Sequence, residues 1–487
     1  MSRVVVVGAG FAGIAAALAL KASGERDVVV IERSDGVGGT WRDNVYPGVA
    51  CDVPSHLYGL STHPWPGWSR VFAPGEEIRG YLERIAHDEG IDIRFGTALI
   101  DARWDDGWIV RTGSGDQGGR ATGDLRADHV ILACGRLTEP RIPELPGLET
   151  FDGPILHSAR WDPSLDLAGR RIAVVGTGAS AVQLVPRLAA AGAEVVLFQR
   201  TPAWIVPKDD RAYTPQERAE LADPLAAAAL RARLHDEGEA RFASRSGDPG
   251  AAAEAEAVAR AHLARQVADP ALRAALSPGY EFGCKRVLLS DDFYPAVASD
   301  AVDLVPSALA GIDDGVLVAA DGSRHRADAL VLATGFASTR QPYARLVTGE
   351  HGTTLDAHWA DGMTSVGSTL VHGFPNLFVL GGPNAALGHT SAVLVLEEQA
   401  AFAAALIAEG ADVRVTAEAE AAYTHEIVDR SARTPWVAGG CDNWYVDSRS
   451  GRLTLLWPGT VAAFRERLAL VAHDVRRPSL TPEGALP

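Results

Sequence analysis

Val4-Val5-Val6-Val7-Gly8-Ala9-Gly10-Phe11-Ala12-Gly13 is a run of four valines that passes directly into a complete G-x-G-x-x-G. A buried strand that turns through glycines into a helix accounts for this pattern. The first glycine permits the tight turn, and the second, Gly10, lets the backbone approach a pyrophosphate. The third lets the helix pack close to the strand, while the helix N-terminus faces the phosphate charge. Nineteen residues beyond Gly13, Val28-Val29-Val30-Ile31-Glu32 reads as a second strand ending in a carboxylate. Glu32 can accept hydrogen bonds from both hydroxyls of an adenosine ribose, and it repels a 2′-phosphate.

A second copy begins at Ile172-Ala173-Val174-Val175-Gly176-Thr177-Gly178-Ala179-Ser180-Ala181, with alanine in the third position, a permitted variant. Nineteen residues after Ala181, the strand Glu194–Gln199 is followed by Arg200, a guanidinium where the first copy has a carboxylate. Arginine there suits a 2′-phosphate and therefore NADP(H). One charge-assisted hydrogen bond contributes roughly 1.5–3 kcal/mol, a preference of about ten- to a hundredfold. A lone glycine turn is weak evidence, since it can be a turn without a ligand. Two copies with readers of opposite charge at the same offset imply FAD at the first and NADPH at the second.

The repeat extends beyond the turns. Asp105-Asp106-Gly107-Trp108-Ile109-Val110 is echoed by Asp313-Asp314-Gly315-Val316-Leu317-Val318, and the segment Ala127–Gly135 by Ala327–Gly335. Each echo reads as a β-ribbon followed by a buried strand ending in glycine. The expected class is α/β with two Rossmann-like dinucleotide-binding domains, the second inserted in the first. Residues 1–145 form the first part of the FAD domain, and 146–335 the NADPH domain. Residues 336–487 hold the remainder of the FAD domain and a substrate-side region. Ala, Arg and Glu at helical spacing predict a helical insertion at about 213–280 with a turn near 246–250. A further helix is expected at 391–409, and the proline-rich end reads as a frayed tail.

At 487 residues the chain is long enough for two or three domains. Its net charge of −17 argues against a nucleic-acid or anionic-membrane surface, which needs clustered positive charge. Cys51, Cys134, Cys284 and Cys441 contain no C-x-x-C pair, which disfavours a zinc ribbon, a dithiol redox centre and a secreted disulfide scaffold. No metal is expected, and a reducing cytoplasm is the expected compartment. Residues 4–20 carry no charge and superficially resemble a signal-peptide core, but Gly8, Gly10, Gly13 and Glu32 favour the strand-turn-helix reading. No other stretch is long and apolar enough to span a bilayer.

Ahead of the second glycine turn, Phe151-Asp152-Gly153-Pro154-Ile155-Leu156-His157-Ser158-Ala159-Arg160-Trp161-Asp162 resembles the F-x-G-x-x-x-H-x-x-x-W-[P/D] fingerprint of type I Baeyer–Villiger monooxygenases. The flavin-containing monooxygenases are similar but usually carry Phe or Tyr where this chain has Trp161. The resemblance covers most of the chain. Gly38-Gly39-Thr40-Trp41, Tyr46-Pro47-Gly48 and Cys51-Asp52 resemble the family's flavin-contact stretch, and Arg200-Thr201-Pro202 its coenzyme-phosphate stretch. Gly283-Cys284-Lys285-Arg286 falls where the family has its catalytic arginine. Ala333-Thr334-Gly335-Phe336, Gly382-Pro383-Asn384 and Asn443-Trp444-Tyr445 are also similar to family motifs. The resemblance extends the cofactor contacts to Tyr58, Gln183, Lys285, Val393 and Trp444, and associates His157 with inter-domain movement and coenzyme handling. It puts the loop 351–373 and residues 430–460 on the substrate side. Only Lys21, Lys208 and Lys285 are lysines, so an ammonium beside Arg286 is either chosen for its compact charge or a chance occurrence.

The resemblance implies an enzyme in which NADPH reduces FAD, O₂ adds to the reduced flavin, and a peroxyflavin attacks a ketone to give an ester or lactone. Arg286 and Asp52 are the candidate catalytic pair. The arginine, which cannot surrender its proton, stabilises anionic oxygen, and the aspartate orients it. An ordinary buried salt bridge is the alternative for this pair. Two other functions fit the same residues: a flavin monooxygenase acting on sulfur or nitrogen, and a nucleotide-bound redox sensor without enzymatic turnover. A disulfide reductase shares the two-unit plan but needs a redox-active cysteine pair. O₂ and a small ketone are the expected partners, and oligomeric state is open.

Overall fold

Valine-rich segments lack the polar alternation of a half-solvated strand, so they belong in sheets covered on both faces. The computed structural model describes residues 3–115, 119–410 and 412–476, so the proline-rich tail lies outside the described residues. Two five-stranded, all-parallel sheets carry the fold. The first runs in the order Leu377–Val379, His129–Leu132, Arg3–Val7, Asp27–Ile31, Ile93–Arg94. The second runs in the order Val302–Val305, Glu194–Phe198, Arg171–Val175, Ala329–Leu332, Ile155–His157. Strand Leu377–Val379 joins the first sheet from chain beyond the whole of the second.

The internal repeat is a repeat of contacts. Asp128 accepts the Arg3 N–H at 2.7 Å, and Asp328 accepts the Arg171 N–H at 2.8 Å, so each central strand is capped by its echo. Arg3 then pairs with Asp27, and Arg171 with Glu194, across equivalent strand positions. The Gly8 N–H donates to Ile31 O and the Gly176 N–H to Phe198 O. The ribbons turn at Asp106-Gly107 and Asp314-Gly315, with positive φ at all four residues; Asp314-Gly315 is a two-residue hairpin loop, whereas the first ribbon pairs Trp104 with Trp108 across a three-residue loop.

Between Thr214 and Leu276 the chain forms helices Pro215–Glu220, Pro224–Ala240, Pro249–Gln266 and Pro270–Ala275. Every one begins with Pro after a capping residue: Thr214, Asp223, Asp248 and Asp269 each accept a first-turn N–H through the side chain. Proline at the first helical position sacrifices only an N–H that has no helical partner. The helix Ala392–Ala408 packs along Phe11–Ser23, burying two nearly uncharged helices against each other behind the first glycine turn. No helix among the described residues is long and apolar enough to cross a membrane.

Candidate functional site

A cavity of about 1430 Å³ runs between the two sheets and touches both glycine turns. Ordinary small-molecule pockets are roughly 300–1,000 Å³, so this one has room for more than a single small ligand. The glycines test what it holds. A Cβ on Gly8 would lie 2.6 Å from Ala133 O, and one on Gly176 2.7 Å from Ala333 O; both residues also have φ beyond +100°. A Cβ on Gly13 would sit 1.8 Å from Gly8 O. These three positions are demanded by the protein's own packing. The middle glycines are not: a Cβ on Gly10 meets only Gly39 at 3.6 Å, and one on Gly178 meets nothing within 4 Å. The space above them is free of protein, at the start of helices Phe11–Ser23 and Ala179–Ala190, which fits a pyrophosphate at each.

On the first side, Glu32 is buried where its strand ends. Its carboxylate accepts the N–H of Ala9 at 2.7 Å and of Ser34 at 2.9 Å, tying the carboxylate to the glycine turn. Gly8, Gly10, Phe11, Ala12 and Glu32 line this end of the cavity, followed by Gly39, Thr40 and Trp41. Tyr58 packs edge-on against Phe11 at 5.1 Å and Trp41 at 5.6 Å, making an aromatic floor suited to a planar ring system. On the second side Gly176, Thr177, Gly178, Ala179, Ser180 and Gln183 face the cavity. Gln183 bridges the two units: it accepts from the Tyr46 hydroxyl at 2.8 Å and donates to Ala50 O at 2.9 Å.

Arg200 and Thr201 lie at the end of the second reader strand, with Lys285 beside them. Burial, and then the Arg200 charge, hold the Lys285 ammonium below its usual range. Two cations placed in mutual repulsion suit a doubly charged phosphate.

Arg286 donates from Nε and Nη2 to one oxygen of Asp52, at 2.8 and 2.5 Å. The Asp52 charge, outweighing burial, raises the guanidinium pKa further, so Arg286 is a permanent cation on the cavity wall. Tyr445 is buried against it, and burial holds the phenol above its usual pKa.

The cysteine reading needs correction. Cys284 and Cys441 form a disulfide across 157 residues, joining the loop that carries Arg286 to the loop that carries Trp444 and Tyr445. Their distance in sequence hid a pair that the fold brings together. Cys51 and Cys134 are free thiols, and no group of residues among those described could hold a metal.

His157 sits on the edge strand of the second sheet. Its Nδ1 accepts the Ala159 N–H at 3.1 Å, which leaves the proton on Nε2 to donate to Gly335 O at 3.1 Å. Burial lowers its pKa, consistent with this neutral tautomer. Gly335 belongs to the paired crossovers between the sheets, where Arg141 N–H also donates to Gly335 O and Ala337 N–H to Glu139 O. His157 therefore ties the edge strand of the second sheet to the crossover at Gly335.

Three expected contacts do not reach the cavity. Gly13 and Ala181 lie behind their turns as packing positions, and Val393 is buried with its N–H held by Ser391 Oγ. The loop 351–373 also stays away, because Leu355, Trp359, Met363 and Val371 fill the core beneath the first β-ribbon. Residues 442–445 of the other expected segment do line the cavity. Sequence reasoning missed Arg136, which enters the cavity wall just after Gly135, and Arg245, buried against Phe282 at 4.8 Å. Their position directly after a strand-ending glycine and within the helical insertion was the only available signal.

Comparison with known proteins agrees with this architecture. The family model described as pyridine nucleotide-disulphide oxidoreductase matches residues 2–224. A Baeyer-Villiger monooxygenase of Streptomyces coelicolor is 42% identical, over 99% of this chain and 94% of its own length. One of Pseudomonas aeruginosa is 36% identical, over 99% and 93%. Among solved structures, an oxidized steroid monooxygenase bound to NADP superposes with a TM-score of 0.83 at 30% identity, covering 97% of this chain and 98% of that one. A closed cyclohexanone monooxygenase gives a TM-score of 0.85 at 28% identity, with 98% of each chain covered. OTEMO, solved in complex with FAD and NADP, gives 0.83 at 25% identity over 97% and 98%.

Proposed function

The chain belongs to the Baeyer–Villiger monooxygenase family and is an FAD- and NADPH-dependent monooxygenase, and from that premise we propose that Arg286, positioned by Asp52, supports oxygenation of a small ketone to an ester or lactone. The observation that carries this reading is the two-point contact of Arg286 with a single Asp52 oxygen on the wall of the shared cavity.

Bound FAD supplies the activation of O₂, with electrons delivered by NADPH. The protein's part is to bind, orient and stabilise charge. The turns at Gly10 and Gly178 admit the two pyrophosphates. Glu32 reads the ribose of FAD, whereas Arg200, Thr201 and Lys285 read the 2′-phosphate of NADPH. Asp52 fixes the guanidinium plane, so Arg286 presents a preorganised positive charge where oxygenation develops negative charge. Because that charge is permanent, Arg286 stabilises an anion without quenching it by proton transfer. His157 holds the crossover at Gly335, so the angle between the two nucleotide units is set from outside the reacting end. NADPH as electron source supports a cytoplasmic setting.

Ketone-dependent NADPH consumption, with ester identified by mass spectrometry, tests the reading. Oxygen transfer to sulfides or amines with no ester from any ketone of a broad panel would replace it with a sulfur- or nitrogen-oxygenating activity.

A further inference from the structure

Around Tyr445 the protein gathers three guanidiniums and one carboxylate. Arg286 takes Asp52. Arg245 is buried with its charge against Phe282 and its Nη1 on Ser244 Oγ. Arg136 has no carboxylate partner among the described residues, and its one protein hydrogen bond is a long 3.4 Å contact from Nη1 to Gly381 O. It lines the cavity with Tyr58 and Tyr343 as electrostatic neighbours, and Leu396 and the Arg136 guanidinium both lie beside Gly381. Burial, followed by repulsion from Arg286, pulls the Arg136 guanidinium down to about 10, with Tyr58, Tyr445 and Tyr343 its other electrostatic neighbours. Arg136 is partly exposed to the cavity and has no carboxylate partner among the described residues, so its charge is available to an anion bound there.

We propose that Arg136 is a specificity residue that receives a carboxylate carried by the ketone substrate, so that the preferred substrates are oxo acids. This rests on the ketone-oxygenating reading above. The nucleotide phosphates have receivers of their own at the glycine turns and at Arg200 and Lys285. Arg136 instead faces apolar surface, where a planar fork can hold one carboxylate in two parallel hydrogen bonds and leave the carbon skeleton against Tyr58, Tyr343 and Leu396. The wall thereby orients the ketone by its charged end while Arg286 serves the reacting end. The flavin's own anionic edge is the other group of matching chemistry, and the test separates the two.

The holoenzyme is compared on 4-oxocyclohexanecarboxylate and its methyl ester, for wild type, Arg136→Gln and Arg136→Lys. Wild type prefers the acid, and Arg136→Gln lowers the acid-to-ester ratio of kcat/KM by about ten- to a hundredfold, with partial recovery in Arg136→Lys. An unchanged ratio overturns the proposal. Slower anaerobic bleaching of FAD by NADPH in Arg136→Gln, to the same degree with either ketone and without a change in ratio, also overturns it and assigns Arg136 to the flavin. A second measurement needs no turnover: binding of cyclohexanecarboxylate, against its carboxamide, read from the absorbance of oxidised flavin in wild type and Arg136→Gln. Tighter binding of the carboxylate in wild type that is lost in Arg136→Gln supports the proposal, and equal binding in wild type, or a preference that Arg136→Gln keeps, overturns it. Failure to make ester from any ketone strikes at the oxygenation reading instead, while this binding arm still judges Arg136.

Discussion

Arg286 and Asp52, separated by 234 positions in the chain, meet through two hydrogen bonds on one carboxylate oxygen. A guanidinium held at two points loses rotational freedom about its long side chain before substrate arrives. Preorganisation of this kind is what makes a single charge effective in catalysis.

Arg286→Ala is expected to retain FAD and to bleach with NADPH, because neither nucleotide turn involves Arg286. Ester formation should fall roughly a hundred- to a thousandfold, equivalent to about 2.7–4 kcal/mol. Anaerobic stopped-flow reduction followed by aerobic turnover with labelled O₂ separates the two steps. Labelled ester at near wild-type rate from Arg286→Ala would remove the arginine from the oxygenation step. Asp52→Asn should lie between, since the amide preserves shape but not charge.

The charge contrast at the reader positions makes a second expectation. Arg200→Ala should raise the KM for NADPH by about ten- to a hundredfold and change the KM for NADH little. Steady-state kinetics with both coenzymes measures this directly, and equal effects would show that Arg200 makes no contact with the 2′-phosphate.

The glycines of the first turn should behave differently from one another. Gly10→Val has room within the protein, so it should express as folded but colourless protein, its side chain standing where the pyrophosphate goes. Gly13→Ala places a Cβ 1.8 Å from Gly8 O and should instead lower the yield of folded protein. Circular dichroism beside the flavin absorbance distinguishes lost folding from lost cofactor.

The bond between Cys284 and Cys441 closes a loop of 157 residues, for which chain entropy alone sets a ceiling of about 5 kcal/mol on stabilisation. The double substitution Cys284→Ser/Cys441→Ser should lower Tm, and dithiothreitol should lower the wild-type Tm toward it without further effect on the variant. Wild-type Tm indifferent to reductant, with free-thiol titration showing all four cysteines reduced, would mean that the bond does not contribute in solution.

Burial, and secondarily the Arg231 charge, lower the pKa of His56 to about 4 from the usual 6.5. Below about 6.5 the unfolded chain therefore binds a proton that the folded chain refuses. The stability contributed by neutral His56 is complete above that value and is lost as pH falls toward 4, by at most about 3 kcal/mol. Denaturant midpoints at pH 7.5 and 4.5 should lie closer together in His56→Asn than in wild type. An unchanged gap would assign the acid sensitivity to other groups.

Both glycine turns, the positions of Glu32 and Arg200 at the ends of their strands, and the repeat were legible in the sequence because each is short-range. A strand, a turn and a helix start lie within ten residues, and their conformations follow from which neighbours lack side chains or carry β-branches. Even the echo of Asp128 by Asp328 is a local pattern occurring twice, each beginning its own strand pairing. What the cavity wall contains depends instead on how distant segments pack. The strand-ending glycine at 135 marks a turn, yet only packing against Gly381 and the tyrosines aims Arg136 inward without a carboxylate. Val393 lies at the start of a helix that could face either way, and burial along Phe11–Ser23 turns it into the core. Cys284 and Cys441 looked unrelated because nothing in spacing reports that their loops meet. Local backbone preference thus determined the two nucleotide-binding units, whereas the charges and bonds around Tyr445 were decided by long-range burial, which no window of sequence contains.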